Sequence, residues 1–269
     1  MQESLDWLQI ITLALLQGVT EFLPVSSSGH LILVPQLLGW QDQGLAFDVA
    51  VHIGTLAAVI IYFRKDVWLM SRDWSVSIIT RQPTSNSRLA WWVILATIPA
   101  VAFGLFLNDG LEEALRNPLI IAATTIGFGV LLWWSDVKGE KIRDEYSLSF
   151  KDILIIGFAQ AIALIPGTSR SGITITAALM TGLTREAAAK FSFLLSIPII
   201  LGAGLLKTKD LLEYTGQVDW QALIGGAVIS GISAYLIIAL FLKWIQTIGM
   251  APFAWYRFAL GALLLYMFL

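Results

Sequence analysis

Cysteine is absent from the 269-residue sequence, which excludes disulfides and thiolate metal sites and leaves the redox compartment open. Charge is scarce as well: 13% of the residues are charged, against about 25% in a soluble globular domain. A net charge of -2 and a pI near 5.7 offer no basic surface, so nucleic acid is not expected as a partner. No basic leader opens the chain. MQESLDW is acidic and polar, so no removable signal peptide is expected. Histidine occurs twice, at His30 and His52.

Apolar surface is what the sequence has in excess. Hydrophobic residues make up 57% and the mean hydropathy is +0.76, which points to a multi-pass protein with membrane lipid as its surroundings. A bilayer core of about 30 Å takes about 20 apolar helical residues to cross. Six runs approach that length: 46–63, 89–107, 119–134, 187–206, 220–242 and 253–269. Four others fall short. Leu8 to Phe22 carries Gln9, Gln17 and Glu21, Leu31 to Leu38 contains a proline, Ile153 to Ile165 has 13 residues, and Gly172 to Leu183 is similar. Thirteen helical residues span about 20 Å, enough to enter a membrane and stop partway. Each short pair is therefore expected to be a re-entrant hairpin with its irregular tip buried in protein or lining a polar cavity.

The cations set an orientation. Arg64, Lys65, Arg72, Arg81 and Arg88 follow the first span, Lys138, Lys141, Arg143 and Lys151 follow the third, Arg185 and Lys190 precede the fourth, and Lys243 ends the fifth. These ends are expected in the cytoplasm. The opposite ends hold Arg116, Lys207 and Lys209 beside Asp109, Glu112, Glu113, Asp210, Glu213 and Asp219. Six spans with this bias place both termini outside.

The order hairpin, span, span, span occurs twice. One tip reads LPVSSSGH and the other IPGTSRSG; AFDVAVHIG matches KFSFLLSIP in its phenylalanine and apolar positions, and Pro118 with Gly127 parallels Pro252 with Gly261. The expected fold is an all-α integral membrane protein of six transmembrane helices and two re-entrant helical hairpins, arranged as an inverted-topology internal repeat. Repeat 1 covers about residues 1–135 with its hairpin at 5–40, and repeat 2 covers 150–269 with its hairpin at 153–183. Because three spans is an odd number, the halves lie upside down to one another and the tips can meet near the midplane. The alternative is eight or ten ordinary spans, which would leave Glu21 and Arg170 in hydrocarbon at a few kcal/mol each.

Each tip ends where a helix begins, and a helix start offers free N–H groups and the positive end of a dipole. Ser26, Ser27, Ser28 and Gly29 take this place in the first half, with Thr168, Ser169, Ser171 and Thr174 in the second. Two such ends make an anion pocket, and Arg170 adds a permanent cation with a fork suited to phosphate oxygens. Helix capping would explain the serines, but not an arginine. Gln17 and Glu21 share a helix face one turn apart, as a structural contact or as part of a site. A carboxylate near a histidine and hydroxyls can move protons or hold a divalent cation, and His30 lies three residues after Ser27. His52 is expected to be a buried polar residue without such company. Phosphate handling in an apolar cleft suits a lipid phosphate as substrate, either hydrolysed or carried by an inverted-repeat transporter or flippase. A nucleophile beside a base favours hydrolysis.

QGVTEFLPVSSSGHL (17–31) and PGTSRSGIT (166–174) resemble the two signature motifs of the bacterial undecaprenyl-diphosphate phosphatase family, also called the bacitracin-resistance protein family. The likeness extends over nearly the whole chain, including PFAWYRFALG near its end. The first family motif has Glu or Gln, three residues, then Glu; Gln17 takes the option that cannot ionise, and Ser28 stands where threonine is also common. The resemblance implies removal of the terminal phosphate of undecaprenyl diphosphate, in the cytoplasmic membrane from its outward face. The monophosphate carrier is then recycled for peptidoglycan and other envelope polymers, and bacitracin resistance follows. In the expected mechanism Ser27 attacks phosphorus, His30 takes its proton, and Glu21 orients the histidine or helps hold a divalent ion, Mg²⁺ or Ca²⁺. Arg170 and the N–H groups at Ser27, Ser28 and Ser169 would hold the diphosphate. The rival nucleophile is His30. Oligomeric state and metal requirement are not legible.

Overall fold

The computed structural model describes residues 6–41, 43–106, 115, 117–213 and 219–269, without the side chains of 207–213. Asp109, Glu112, Glu113, Arg116 and the side chains of Lys207, Lys209, Asp210 and Glu213, used in the orientation argument, lie outside the described residues, as do residues 1–5. Eleven helices account for nearly all the rest: α1 Trp7–Thr20, α2 Ser27–Leu38, α3 Gly44–Tyr62, α4 Arg64–Thr80, α5 Ser85–Phe106, α6 Pro118–Lys138, α7 Phe150–Ile162, α8 Arg170–Met180, α9 Arg185–Glu213, α10 Trp220–Ile248 and α11 Ala251–Phe268. Among the described residues six of these, α3, α5, α6, α9, α10 and α11, are long and apolar enough to cross a membrane. They are the six expected spans. Their ends differ: α9 runs from Arg185 to Glu213, and α10 runs on to Ile248 because the polar tail KWIQTI keeps helical spacing and reaches Gly249 at φ 65° before stopping.

Polar residues at the boundaries start the helices. Asn117 accepts from Leu119 N at 2.8 Å ahead of Pro118, Asp219 accepts from Gln221 N and Ala222 N at 3.1 and 3.0 Å, and Ser149 and Asp152 cap α7 reciprocally. Helix α4 was not expected. It begins directly after the first span with RKDVWLMSRDW, where charges on one side and exposed Trp68, Leu69 and Ile79 on another suit an interface rather than a crossing.

Of the short pairs α1–α2 and α7–α8, α8 is almost wholly buried, and the others bury one face and expose another. α1 packs along α10, and α7 packs along α5, so each hairpin's first helix lies on the second span of the other half. Close approach depends on small residues, as between helices in lipid. A Cβ on Gly54 of α3 would stand 2.1 Å from Ala227 O of α10, and one on Gly18 of α1 1.9 Å from Ser233 Oγ. At one end, near the basic residues expected in the cytoplasm, ion pairs tie the elements together. Asp136 accepts from Arg185 Nε at 2.5 Å and from Met250 N at 2.9 Å, and Lys190 reaches Asp66 at 2.7 Å and Glu145 at 3.0 Å.

Candidate active site

The two tips have the same local geometry. Ser26 at φ 74° is the N-cap of α2 and accepts from Gly29 N at 3.4 Å; Ser169 at φ 70° is the N-cap of α8 and accepts from Gly172 N at 3.1 Å. Positive φ in a residue with a Cβ costs roughly 1–2 kcal/mol, and it is held here twice in the same place. The paired hydroxyls repeat too, with Ser26 Oγ 3.4 Å from Ser28 Oγ and Ser169 Oγ 3.2 Å from Ser171 Oγ. The register this defines sets Ser27 against Arg170, each the first residue of its helix.

Both first residues reach one carboxylate. Ser27 Oγ donates to Glu21 Oε2 at 2.6 Å, and Arg170 Nη2 donates to Glu21 Oε1 at 2.7 Å. Gln17 Nε2 donates to Glu21 Oε2 at 3.0 Å from one turn earlier on α1. Arg170 is steadied by Ser192 O at 3.3 Å and by the Phe22 ring, 6.0 Å from its guanidinium carbon. Ser171 Oγ donates to Leu23 O at 2.8 Å, a direct link between the tips.

Several expected residues are placed differently. His52 is not an isolated buried group: its side chain is 38% exposed and its Nε2 lies 4.0 Å from Glu21 Oε2, because helical spacing on α3 turns it toward the first tip. The Ser27–His30 pair is not formed. His30 Nδ1 lies 2.7 Å from Ser26 O and Nε2 2.5 Å from Tyr256 Oη, so both ring nitrogens are engaged elsewhere and Glu21 takes the serine hydroxyl. Gly29 N is used by the Ser26 cap, and Thr174, fully buried, bonds Arg170 O at 2.8 Å and Ser192 Oγ at 2.7 Å, which turns it into the packing against α9. Ser28 is exposed, and Thr168 Oγ1 is buried without a hydrogen-bond partner.

A second arginine completes the junction. Arg257 on α11 is fully buried and spends its guanidinium on carbonyls from three places: Thr125 O at 3.0 Å and Thr124 O at 3.4 Å on α6, Pro24 O at 3.3 Å in the first tip and Gly167 O at 3.0 Å in the second. Gly167, at φ 86°, has no room for a Cβ, which would meet Thr124 Oγ1 at 2.3 Å.

The family model described as bacitracin resistance protein BacA matches residues 10–263. This chain belongs to the BacA family. It is 61% identical over 267 residues to undecaprenyl-diphosphatase 2 of Stutzerimonas stutzeri (strain A1501), covering 98% of this chain and 99% of that protein. It is 60% identical over 264 residues to undecaprenyl-diphosphatase of Nitrosococcus oceani (98% and 100% covered), and 58% over 258 residues to that of Alteromonas mediterranea (96% and 97%).

Sequence reasoning passed over three residues of this BacA-family site: His52, Tyr256 and Arg257. Arg257 carried a usable signal, since an arginine within an apolar span is costly unless partnered; Tyr256 carried none, because tyrosine is common in membrane helices. The donor set does not suit a protein-only cage for Mg²⁺ or Ca²⁺. Among the described residues no three His, Asp or Glu side chains cluster, and both oxygens of Glu21 are already taken by Gln17, Ser27 and Arg170.

Arg257→Met keeps bulk but removes the one side chain that ties the carbonyls of both tips to α6, Pro24 O and Gly167 O among them, a loss of about 3–5 kcal/mol. Thermal unfolding of the detergent-solubilised variant is expected well below that of the wild type; an unchanged midpoint would mean that Arg257 does not hold the tips together.

Proposed function

We propose that the protein hydrolyses undecaprenyl diphosphate to undecaprenyl phosphate and inorganic phosphate. One observation carries the reading: a partly exposed serine at a helix start donates to a buried carboxylate that an arginine of the other half also holds. A carrier for lipid phosphate, the other function the sequence allowed, would use the cation and the helix starts but has no need of a serine bonded to a base.

In this reading the terminal phosphate sits over Ser27 at the start of α2, between the two tips. Ser27 Oγ bonds to phosphorus as its proton passes to Glu21 Oε2, and the bond from phosphorus to the bridging oxygen breaks. Undecaprenyl phosphate departs with that oxygen. Arg170 and the N–H groups at Ser27, Ser28 and Ser169 balance charge on the equatorial oxygens. Water then attacks the phosphoserine, a proton goes to His30 Nε2, and Ser27 recovers its proton from Glu21 as phosphate leaves. Ser26 and Ser169 hold the tips in shape, and Ser171 joins them.

The proposal extends to the membrane. The hairpins α1–α2 and α7–α8 are re-entrant and the halves form an inverted repeat, a reading supported by the matching N-caps at Ser26 and Ser169 and by the reciprocal packing of α1 on α10 and α7 on α5. With the basic ends in the cytoplasm, the first hairpin opens outward and both termini lie outside the bacterial cytoplasmic membrane.

Phosphate release from undecaprenyl diphosphate by purified wild type, Ser27→Ala and Glu21→Gln, each with and without chelator, tests the activity. Both variants are expected to fall by about a thousandfold or more; rates equal to wild type would remove the serine–carboxylate pair from the chemistry. Orientation is tested separately with a C-terminal reporter active only in the cytoplasm, which is expected to stay silent. A signal from it would invert the topology.

A further inference from the structure

His30 is 5% exposed, and its surroundings fix its protonation. Ser26 O can only accept, so the 2.7 Å contact to His30 Nδ1 requires a proton on Nδ1. In the neutral ring Nε2 is then an acceptor, and the group 2.5 Å from it is the Tyr256 hydroxyl, which must donate. The rings lie nearly parallel, 12° apart with centroids at 5.7 Å. Tyr256 is held in place by its chain neighbour, since Arg257 anchors this turn of α11 to both tips. It is also the exposed member of the pair, at 46%, and stands between the buried imidazole and the outside of the bundle.

The geometry points to Tyr256 as the positioning residue for His30: with Ser26 O holding the proton on Nδ1, the Tyr256 hydroxyl engages the Nε2 lone pair, fixes the ring, and relays the proton that Nε2 collects. The inference rests on the hydrolase reading above and adds a residue and a route to it. A hydroxyl both donates and accepts, so one contact serves two charge states. While the imidazole is neutral, Tyr256 O–H donates to Nε2. When water attacks the phosphoserine, the water O–H bond breaks, its proton bonds to Tyr256 Oη, and the proton Tyr256 was donating passes to Nε2. Tyr256 Oη now accepts from Nε2–H; in the return step it takes that proton back as its outward-facing proton passes to the departing phosphate or to bulk water. Tyrosine is unchanged at the end, and histidine is neutral again. Phenylalanine would keep the ring and the stacking but could do none of this.

Two readouts on the full-length Tyr256→Phe protein in detergent test it, with Tyr266→Phe, 88% exposed on the same helix, as a control. In the first, kcat for phosphate release from undecaprenyl diphosphate is expected to fall about a hundredfold, at the low end of what positioned proton transfer contributes, while KM stays within about twofold. In the second, nitrogen-15 spectra of histidine-labelled protein, assigned with a His52→Gln sample, show the His30 Nε2 resonance moving toward that of a ring nitrogen with no bonded donor. A wild-type kcat in Tyr256→Phe, or an unmoved Nε2 resonance, overturns the inference. Failure of wild type to release phosphate would sink the hydrolase reading instead, while the spectrum alone still decides whether Tyr256 holds His30.

Discussion

A carboxylate inside an apolar bundle is stable only if its charge and lone pairs are met, and Glu21 is met by groups from both halves of the chain. Arg170 supplies the opposite charge at 2.7 Å, and Ser27 and Gln17 supply donors. Breaking such a pair by removing one partner typically costs about 3–5 kcal/mol, because the survivor stays buried and charged. The two hairpins therefore have to meet, with α1 delivering Glu21 and α8 delivering Arg170 to one point. The rest of the fold can be understood as what brings them there. Glycines at the α1–α10 and α3–α10 crossings allow the approach, and Arg257 locks the two loops to α6.

The same pair prepares chemistry. Ser27 and Arg170 hold equivalent positions at the starts of twin helices, so one tip presents a hydroxyl where the other presents a cation. Their shared partner, Glu21, accepts the serine proton on one oxygen and fixes the guanidinium with the other. Arg257 differs in kind. Its partners among the described residues are carbonyls, so its charge is not cancelled by a carboxylate and adds to the positive potential at the junction, where a diphosphate would sit.

Much of this was legible before any coordinates. Apolar run length located the six long helices, and the density of serine, glycine and proline located both tips, because those residue types are costly in lipid unless they cap or turn. The same cost said that Glu21 and Arg170 do not face lipid, but not that they bond to each other: Arg170 was expected on the diphosphate and Glu21 on His30 or a divalent ion. Side-chain direction was not legible: His30 and Ser27 share a helix face, yet one side chain bonds Tyr256 and the other Glu21. Contacts between separate helices, such as His52 with the first tip or Tyr256 with His30, depend on which helices pack together, and a single sequence carries no pattern for that.

The proposed hydrolysis depends on Ser27 Oγ, activated by Glu21, forming the bond to phosphorus. Rapid acid quench of enzyme turning over undecaprenyl diphosphate labelled in the terminal phosphate, followed by mass analysis of the labelled peptide, examines that bond directly. The account gives an acid-stable phosphoryl group on Ser27. An acid-labile group on His30 would contradict it.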